Sequence, residues 1–350
     1  MKPLPAADLE HILEHTRARW DTARGARFFL SGATGFFGAW LLESFVYCNY
    51  VLDLGMRATV LSRDPADALR RLPHLAEAPS LEWLQGDVRD VPLPAERFDY
   101  VLHGAAPTVG HAALAEGELT EILIHGTEHM LALAAACGAR GFLHLSSGAV
   151  YGGQPANLSH IPEEYRGKLD WIDPSSSYAG GKRVSERLCG FRSSGSNLRS
   201  VSARCFAFVG PYLPLDAHFA IGNFIADAMA DRPIMVKGDG TALRSYLYAA
   251  DLAIWLWTML LDPRSDGPPF DAFNVGSSEA VTIAQLARTV ADVLHPGLEV
   301  RIEGDSSLGT RRSVYVPATE KAERELGLRQ WISLKEAIRR TAAWYLVARP

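Results

Sequence analysis

Short apolar runs alternate with amphipathic stretches along the first two thirds of the chain. Residues 6–21 place Leu9, Ile12, Leu13 and Trp20 near helical spacing, predicting a short amphipathic helix that covers a sheet edge. Apolar runs at 27–31, 58–62, 81–86, 100–104, 141–146 and 200–206 predict six strands. Helical patterns at 38–50, 119–137 and 178–191 fall between them. Strands and helices in this rhythm imply an α/β fold with a parallel, doubly wound sheet. After about Phe208 the texture changes, because Pro211, Pro214, Pro233, Gly238 and Gly240 break the chain into short pieces. The segment Phe273–Ser277 is expected to return to the sheet or its border.

The first strand runs into Ser31-Gly-Ala-Thr-Gly-Phe-Phe-Gly38, with Gly32, Gly35 and Gly38 at GxxGxxG spacing between a strand and a helix. Such a loop turns tightly, brings its backbone against a pyrophosphate, and aims a helix N-terminus at it. In that context Gly32, Thr34, Gly35, Phe36, Phe37 and Gly38 are candidate dinucleotide contacts. The fold expected is therefore a Rossmann-type sheet, with a smaller mixed α/β C-terminal lobe for substrate. The expected division is an N-terminal helical extension at 1–24, and a dinucleotide-binding domain at 25–207 to which 245–277 returns. Residues 208–244 and 278–350 would form the substrate lobe, with the active site in the cleft between lobes.

Where NAD binders place an acid at the end of the second strand to hold the ribose, this chain has Ser62-Arg63-Asp64. A guanidinium suits a 2′-phosphate, so Ser62 and Arg63 favour NADP, with NAD as the alternative. Alternatively Arg63 stacks on adenine, or Asp64 takes the ribose in a shifted loop. Asp87 and Val88 end the third strand, where a carboxylate meets the adenine amino group. Gly104, Ala105 and Ala106 supply small residues at the next strand end.

The fifth strand delivers Leu145-Ser-Ser-Gly-Ala-Val-Tyr-Gly152, and Tyr178-Ala-Gly-Gly-Lys182 follows. Tyr178 and Lys182, four apart on a helix, share a face. A neighbouring ammonium is expected to lower the phenol's pKa and make it an acid/base, while Lys182 bonds the nicotinamide ribose. Ser147 would hydrogen-bond the same substrate oxygen, and Ser146 is a candidate cofactor contact.

Composition narrows the classes. The 350 residues carry a formal charge of −5, which argues against a sequence-independent nucleic-acid binder. The apolar run Ala253–Leu261 is far shorter than the ~20 residues that span a bilayer. With no signal-peptide pattern at the N-terminus, a cytoplasmic enzyme is the expectation. The four cysteines form no CxxC pair, and His103, His125, His129 and His144 read as packed core residues, so no metal is expected.

These motifs, with Gly238-Asp-Gly-Thr-Ala-Leu-Arg244-Ser-Tyr, resemble the extended short-chain dehydrogenase/reductase family, in its nucleotide-sugar epimerase/dehydratase branch. The resemblance covers nearly everything from Phe28 to Leu328. It implies Ser147, Tyr178 and Lys182 as the catalytic centre and a nucleotide sugar as substrate. It places Asn223, Arg244 and more loosely Arg311 and Arg312 near the diphosphate; Thr108, and His218 just before the Asn223 segment, are further candidate substrate contacts. It also implies a homodimer through the helices carrying Tyr178 and residues 119–137.

Three departures bear on the reaction. The family's 4,6-dehydratases carry acids just after the catalytic hydroxyl, and decarboxylases usually have a Glu nearby, where this chain has Gly148 and Ala149. The family's Asn-Val-x-Gly-Thr reads Leu123-Ile-His-Gly-Thr127, and its Arg-x-Phe-Asn reads Arg204-Cys-Phe-Ala207. Dehydration and decarboxylation are therefore disfavoured. A 4-ketoreductase is slightly favoured by Ser62-Arg63, with a 4-epimerase holding its cofactor tightly as the alternative. A non-catalytic NADP sensor is least favoured, because such relatives typically lose the Tyr-Lys pair that this chain keeps.

Overall fold

In the computed structural model of the chain, the six apolar runs and a later strand at Phe270–Val275 form one seven-stranded sheet. The structure describes residues 1–106, 116–155, 157–170, 173–217, 219–262, 267–304 and 313–347. Strands β1 (Arg27–Ser31), β2 (Arg57–Ser62), β3 (Leu81–Gln85), β4 (Tyr100–His103), β5 (Gly141–Ser147) and β6 (Arg199–Cys205) pair in parallel. Their order is β6-β5-β4-β1-β2-β3, with Phe270–Val275 outside β6. The direction of strand addition reverses between β1 and β4, the position where open α/β sheets hold ligands at their C-terminal edge. Register sets Ser31 beside His103, and Ser147 beside Cys205. The glycine loop and the Ser147 turn thus leave the same edge of the sheet.

Chain division gives two compact units. The first comprises Met1–Gly152, Lys168–Cys205 and Ala253–Phe273. It holds the sheet with helices α1 (Ala6–Trp20), α2 (Phe36–Val51), α3 (Pro65–Arg71), α4 (Glu116–Ala136) and α5 (Ser177–Ser193). Because side chains alternate along a strand, β1 feeds two cores. Phe29 joins Val101 and Phe142 with Met130, Leu131 and Leu133 of α4 on one face. Phe28 meets Phe45 and Trp257 on the other, with ring centroids at 5.2 and 6.1 Å. Trp20 of α1 enters that second cluster at 4.8 Å from Trp257. The N-terminal helix therefore contributes to a core beside α2 and does more than cover a sheet edge. Its start is tied down by Leu4 N–H, which donates to the buried Glu43 carboxylate at 2.7 Å.

The second unit comprises Gly153–Gly167, Phe206–Leu252 and Asn274–Pro350. It carries α6 (Ala220–Met229), the start of α7 (Ala249–Leu260), α8 (Ile283–Leu294), α9 (Glu320–Leu326) and α10 (Leu334–Val347), with short strand pairs. Helix α8 starts at a capping box, Thr282 and Gln285 exchanging hydrogen bonds at 2.8 and 3.0 Å. The buried Asp251 carboxylate accepts from the backbone N–H of Trp331 and Ile332, each at 3.0 Å. Residues 153–167 show no clear hydrophobic period, yet Ile161 is fully buried there. Its carbonyl accepts from Asn274 Nδ2 at 2.8 Å. Among the described residues no helix is long and apolar enough to cross a membrane.

Candidate active site

Each glycine of the loop has a separate physical reason to be glycine. Gly32 sits at φ 76°, and a Cβ there would collide with the Gly104 backbone at the end of β4. A Cβ on Gly38 would collide with the Ala33 backbone, so this residue lets α2 close onto the loop. Gly35 differs: a Cβ would meet nothing within 4 Å, and it is the N-cap of α2 with no side-chain cap. The open space faces a helix N-terminus whose first N–H groups lack side-chain acceptors, which fits a pyrophosphate. Thr34, Phe36 and Phe37 stand half-buried beside it, and the two phenyl rings lie 5.6 Å apart.

At the end of β2 the three polar residues have distinct partners. Ser62 is buried and its hydroxyl accepts from Asp64 N–H at 3.2 Å. The Asp64 carboxylate caps α3, accepting from Asp67 N–H at 2.9 Å. Arg63 is exposed and in no ion pair among the described residues. Asp87 is held by Arg89, Nε to Oδ1 at 2.8 Å and Nη2 to Oδ2 at 3.0 Å. Those Arg89 bonds, and then the charge of Arg63, hold the Asp87 carboxyl below its usual range. The carboxylate expected to meet adenine is thus paired with Arg89. The Val88 side chain is a core residue packed with Val91 and Met130, so only its backbone faces any other task. Gly104 lies against Leu145, followed by half-buried Ala105 and Ala106.

Helix α5 presents Tyr178, Lys182 and Glu186 one turn apart, and each grips the end of β5. The Ser147 hydroxyl hydrogen-bonds the Tyr178 phenol and accepts from Ala149 N–H at 3.2 Å. Lys182 is 3% exposed, and its Nζ donates to Leu145 O at 2.7 Å. Burial pushes its ammonium down to about 8. The expected lowering of the Tyr178 pKa is not what the chain alone produces. Burial pushes the phenol up to about 12, against the opposing effect of the Ser147 hydrogen bond. The Lys182 ammonium donates to a backbone carbonyl.

Glu186 was not singled out by motif, although its position four after Lys182 puts it on the same helix face. Its carboxylate accepts from Ser146 Oγ at 2.6 Å and from Arg204 Nε and Nη2 at 3.0 and 2.7 Å. Arg204 Nη1 also donates to the Tyr151 hydroxyl at 2.8 Å. Ser146, expected at the cofactor, therefore points its hydroxyl into this buried network. Behind Lys182, His103 bonds Ser31 Oγ and Thr127 Oγ1 at 2.8 and 3.1 Å, and His144 bonds Ser202 Oγ at 3.2 Å. Burial, reinforced by the Lys182 charge, pushes His103 down to about 3 and His144 well below its usual value, so both are neutral packed residues.

In the second unit, Asn223 occupies the first turn of α6, half-buried, with its N–H bonded to Phe219 O at 3.1 Å. Arg244 forms no ion pair among the described residues. Its Nη1 donates to Leu243 O at 2.7 Å and its Nη2 to Ser313 Oγ at 3.2 Å. Thr108, His218, Arg311 and Arg312 lie outside the described residues.

Comparison with known proteins places the chain in a family. The model of the NAD dependent epimerase/dehydratase family matches residues 28–276. UDP-glucuronic acid decarboxylase 1 of Arabidopsis thaliana is 29% identical over 90% of this chain and 68% of its own length. The human dTDP-D-glucose 4,6-dehydratase is 25% identical, covering 91% of this chain and 89% of its own. A crystal structure of a UDP-galactose 4-epimerase superposes with a TM-score of 0.70 at 26% identity, covering 92% of this chain and 99% of that one. With the family match extending from the second residue of β1 to the end of the seventh strand, the chain belongs to the NAD-dependent epimerase/dehydratase family of extended short-chain dehydrogenases/reductases.

Proposed function

We propose that the chain transfers hydride at a sugar carbon, C4 in the favoured case, of a nucleotide-activated sugar, and that it works chiefly as an NADP-linked 4-ketoreductase. The carrying observation is the Ser147–Tyr178 hydrogen bond at the end of β5, with Gly148 and Ala149 immediately after it. A bound nicotinamide dinucleotide would supply the hydride chemistry. Ser147 holds the sugar oxygen, and Tyr178 exchanges a proton with it. A phenol pushed up to about 12 is protonated at neutral pH, which supports a donor role toward a carbonyl being reduced. Lys182, buried against the Leu145 carbonyl, sets the local positive charge and the ribose contact.

The decarboxylase and dehydratase relatives raise the question of carbon–carbon or carbon–oxygen cleavage. Gly148 and Ala149 have no group to protonate a leaving hydroxyl or remove an alpha proton, which argues against both. The exposed Arg63 guanidinium at the end of β2, in no ion pair among the described residues, supports NADP. The likeness to a UDP-galactose 4-epimerase supports a second reading, 4-epimerisation with a retained cofactor. Denaturing the purified protein and identifying the dinucleotide released separates the two. An empty protein that oxidises NADPH with a nucleotide-linked 4-keto sugar supports reduction. Stoichiometric NAD or NADP, with interconversion of C4 epimers, supports the second reading and overturns the first. Tyr178→Phe should lower turnover by at least about a hundredfold while cofactor is still bound.

A further inference from the structure

The ends of β2 and β3 run side by side, Ser62 opposite Gln85, and the chain continues into Arg63 on one and Asp87 on the other. Gly86 N–H donates to Ser62 O at 3.0 Å and Gln85 Nε2 to Arg63 O at 3.3 Å, so the two tails leave the sheet one strand spacing (~4.8 Å) apart. A carboxylate and a guanidinium so placed would ordinarily pair. Here Asp87 pairs elsewhere. Its Oδ1 accepts from the backbone N–H and Nε of Arg89 at 3.0 and 2.8 Å, and its Oδ2 from Arg89 Nη2 at 3.0 Å. Val88 between them is buried in the core, which fixes the turn that brings Arg89 back onto Asp87. The other prong of the fork is held as well, with Arg89 Nη1 3.5 Å from the Glu121 carboxylate of α4. Given the 2′-phosphate contact proposed for Arg63, on which this role rests, the geometry points to Arg89 as a residue that sets cofactor specificity. By occupying both oxygens of Asp87 it leaves the Arg63 donors to a phosphate and gives that phosphate a paired, not a bare, acidic neighbour. The Arg89 bonds are the larger influence on the Asp87 carboxyl, and Arg63 stands near enough for its charge to add to them. Without Arg89 the carboxylate would either capture the Arg63 guanidinium or stand beside it as an unpaired negative charge. Both oppose a 2′-phosphate, and neither acts on a cofactor that lacks one.

Fluorescence titration of the full-length protein with NADPH and with NADH gives the two dissociation constants needed. Arg89→Gln should weaken NADPH binding about tenfold or more, the worth of one charged hydrogen bond, while NADH changes by less than about threefold. Arg89→Lys keeps the charge but not the two-pronged geometry, and should fall between. Asp87→Asn/Arg89→Gln should recover most of the NADPH affinity, because an amide neither captures Arg63 nor repels a phosphate. Arg24→Gln removes the same charge from an exposed position before β1, at the opposite edge of the sheet, and should leave both constants unchanged. Thermal unfolding of each variant without cofactor separates loss of the contact from loss of the fold. A wild-type preference in Arg89→Gln overturns the role of Arg89 and leaves the NADP reading standing. An equal loss for both cofactors, or a double variant as weak as Arg89→Gln, also overturns it, since the effect would not run through Asp87 and Arg63. A wild-type protein that binds NADPH and NADH alike overturns both.

Discussion

Lys182 carries a positive charge into a site where almost no water reaches it, and that cost shows in its titration. Burial pushes it down to about 8 from 10.5. Between those values the unfolded chain still holds a proton that the folded chain has released, so stability rises with pH through this window. Below about pH 8 both states are protonated and the burial penalty is present in full. Relative to Lys182→Met, the wild-type protein should gain about 2 kcal/mol between about pH 7.5 and 9.5, measured by urea unfolding at both values. A pH-independent difference would mean that Lys182 is solvated in solution. Tyr178, pushed up to about 12, stays protonated throughout this range, so the signal belongs to the lysine. The position of both residues was readable from Ser-Ser followed by Tyr-x-x-x-Lys. Their protonation was not, because it depends on which acceptor the ammonium finds and how completely the helix covers it.

Elements were legible where a local pattern dictates them and obscure where tertiary pairing does. Strand β1 and helix α5 announce themselves through an apolar run before a glycine loop and a Tyr-Lys spacing. The Glu186–Arg204 pair binds α5 to β6, and no spacing in one sequence tells that residues 186 and 204 meet. Breaking such a buried pair leaves a lone charge, costing about 3–5 kcal/mol. Glu186→Leu or Arg204→Met should each show a loss of that order in denaturant unfolding. The double variant should lose clearly less than the sum, and additivity would deny the coupling. The glycine loop permits a sharper contrast within one element. Gly38→Ala forces a Cβ into the Ala33 backbone and should destabilise by several kcal/mol or abolish soluble expression. Gly35→Ala meets open space, and so should cost less than about 1 kcal/mol while weakening dinucleotide binding by at least about tenfold. Thermal unfolding with a dinucleotide titration checks both, and equal behaviour of the two variants would contradict the assigned roles.

At the scale of the whole molecule, the formal charge of −5 works against any polyanionic ligand, so a dinucleotide must be held by local donors. Two sets are present at the C-terminal edge of the sheet: the open N-terminus of α2 behind Gly35, and the exposed guanidinium of Arg63. The first is common to NAD and NADP, whereas the proposed 2′-phosphate contact of the second would discriminate. One charged hydrogen-bond contact is worth about 1.5–3 kcal/mol, or about ten- to a hundredfold in affinity. Anything that binds only the folded chain stabilises it by RT ln(1 + [L]/Kd). At one concentration NADPH should therefore raise the melting temperature several degrees more than NADH. Raising salt should shrink the NADPH effect faster, because the extra phosphate meets an exposed cation. Arg63→Ala should bring the two cofactors level while leaving the NADH shift intact. Equal shifts in the wild-type protein would remove the argument for NADP and, with it, the main reason to place reduction ahead of epimerisation. The glycine loop would keep its role in that case, since its contribution does not depend on the 2′ position.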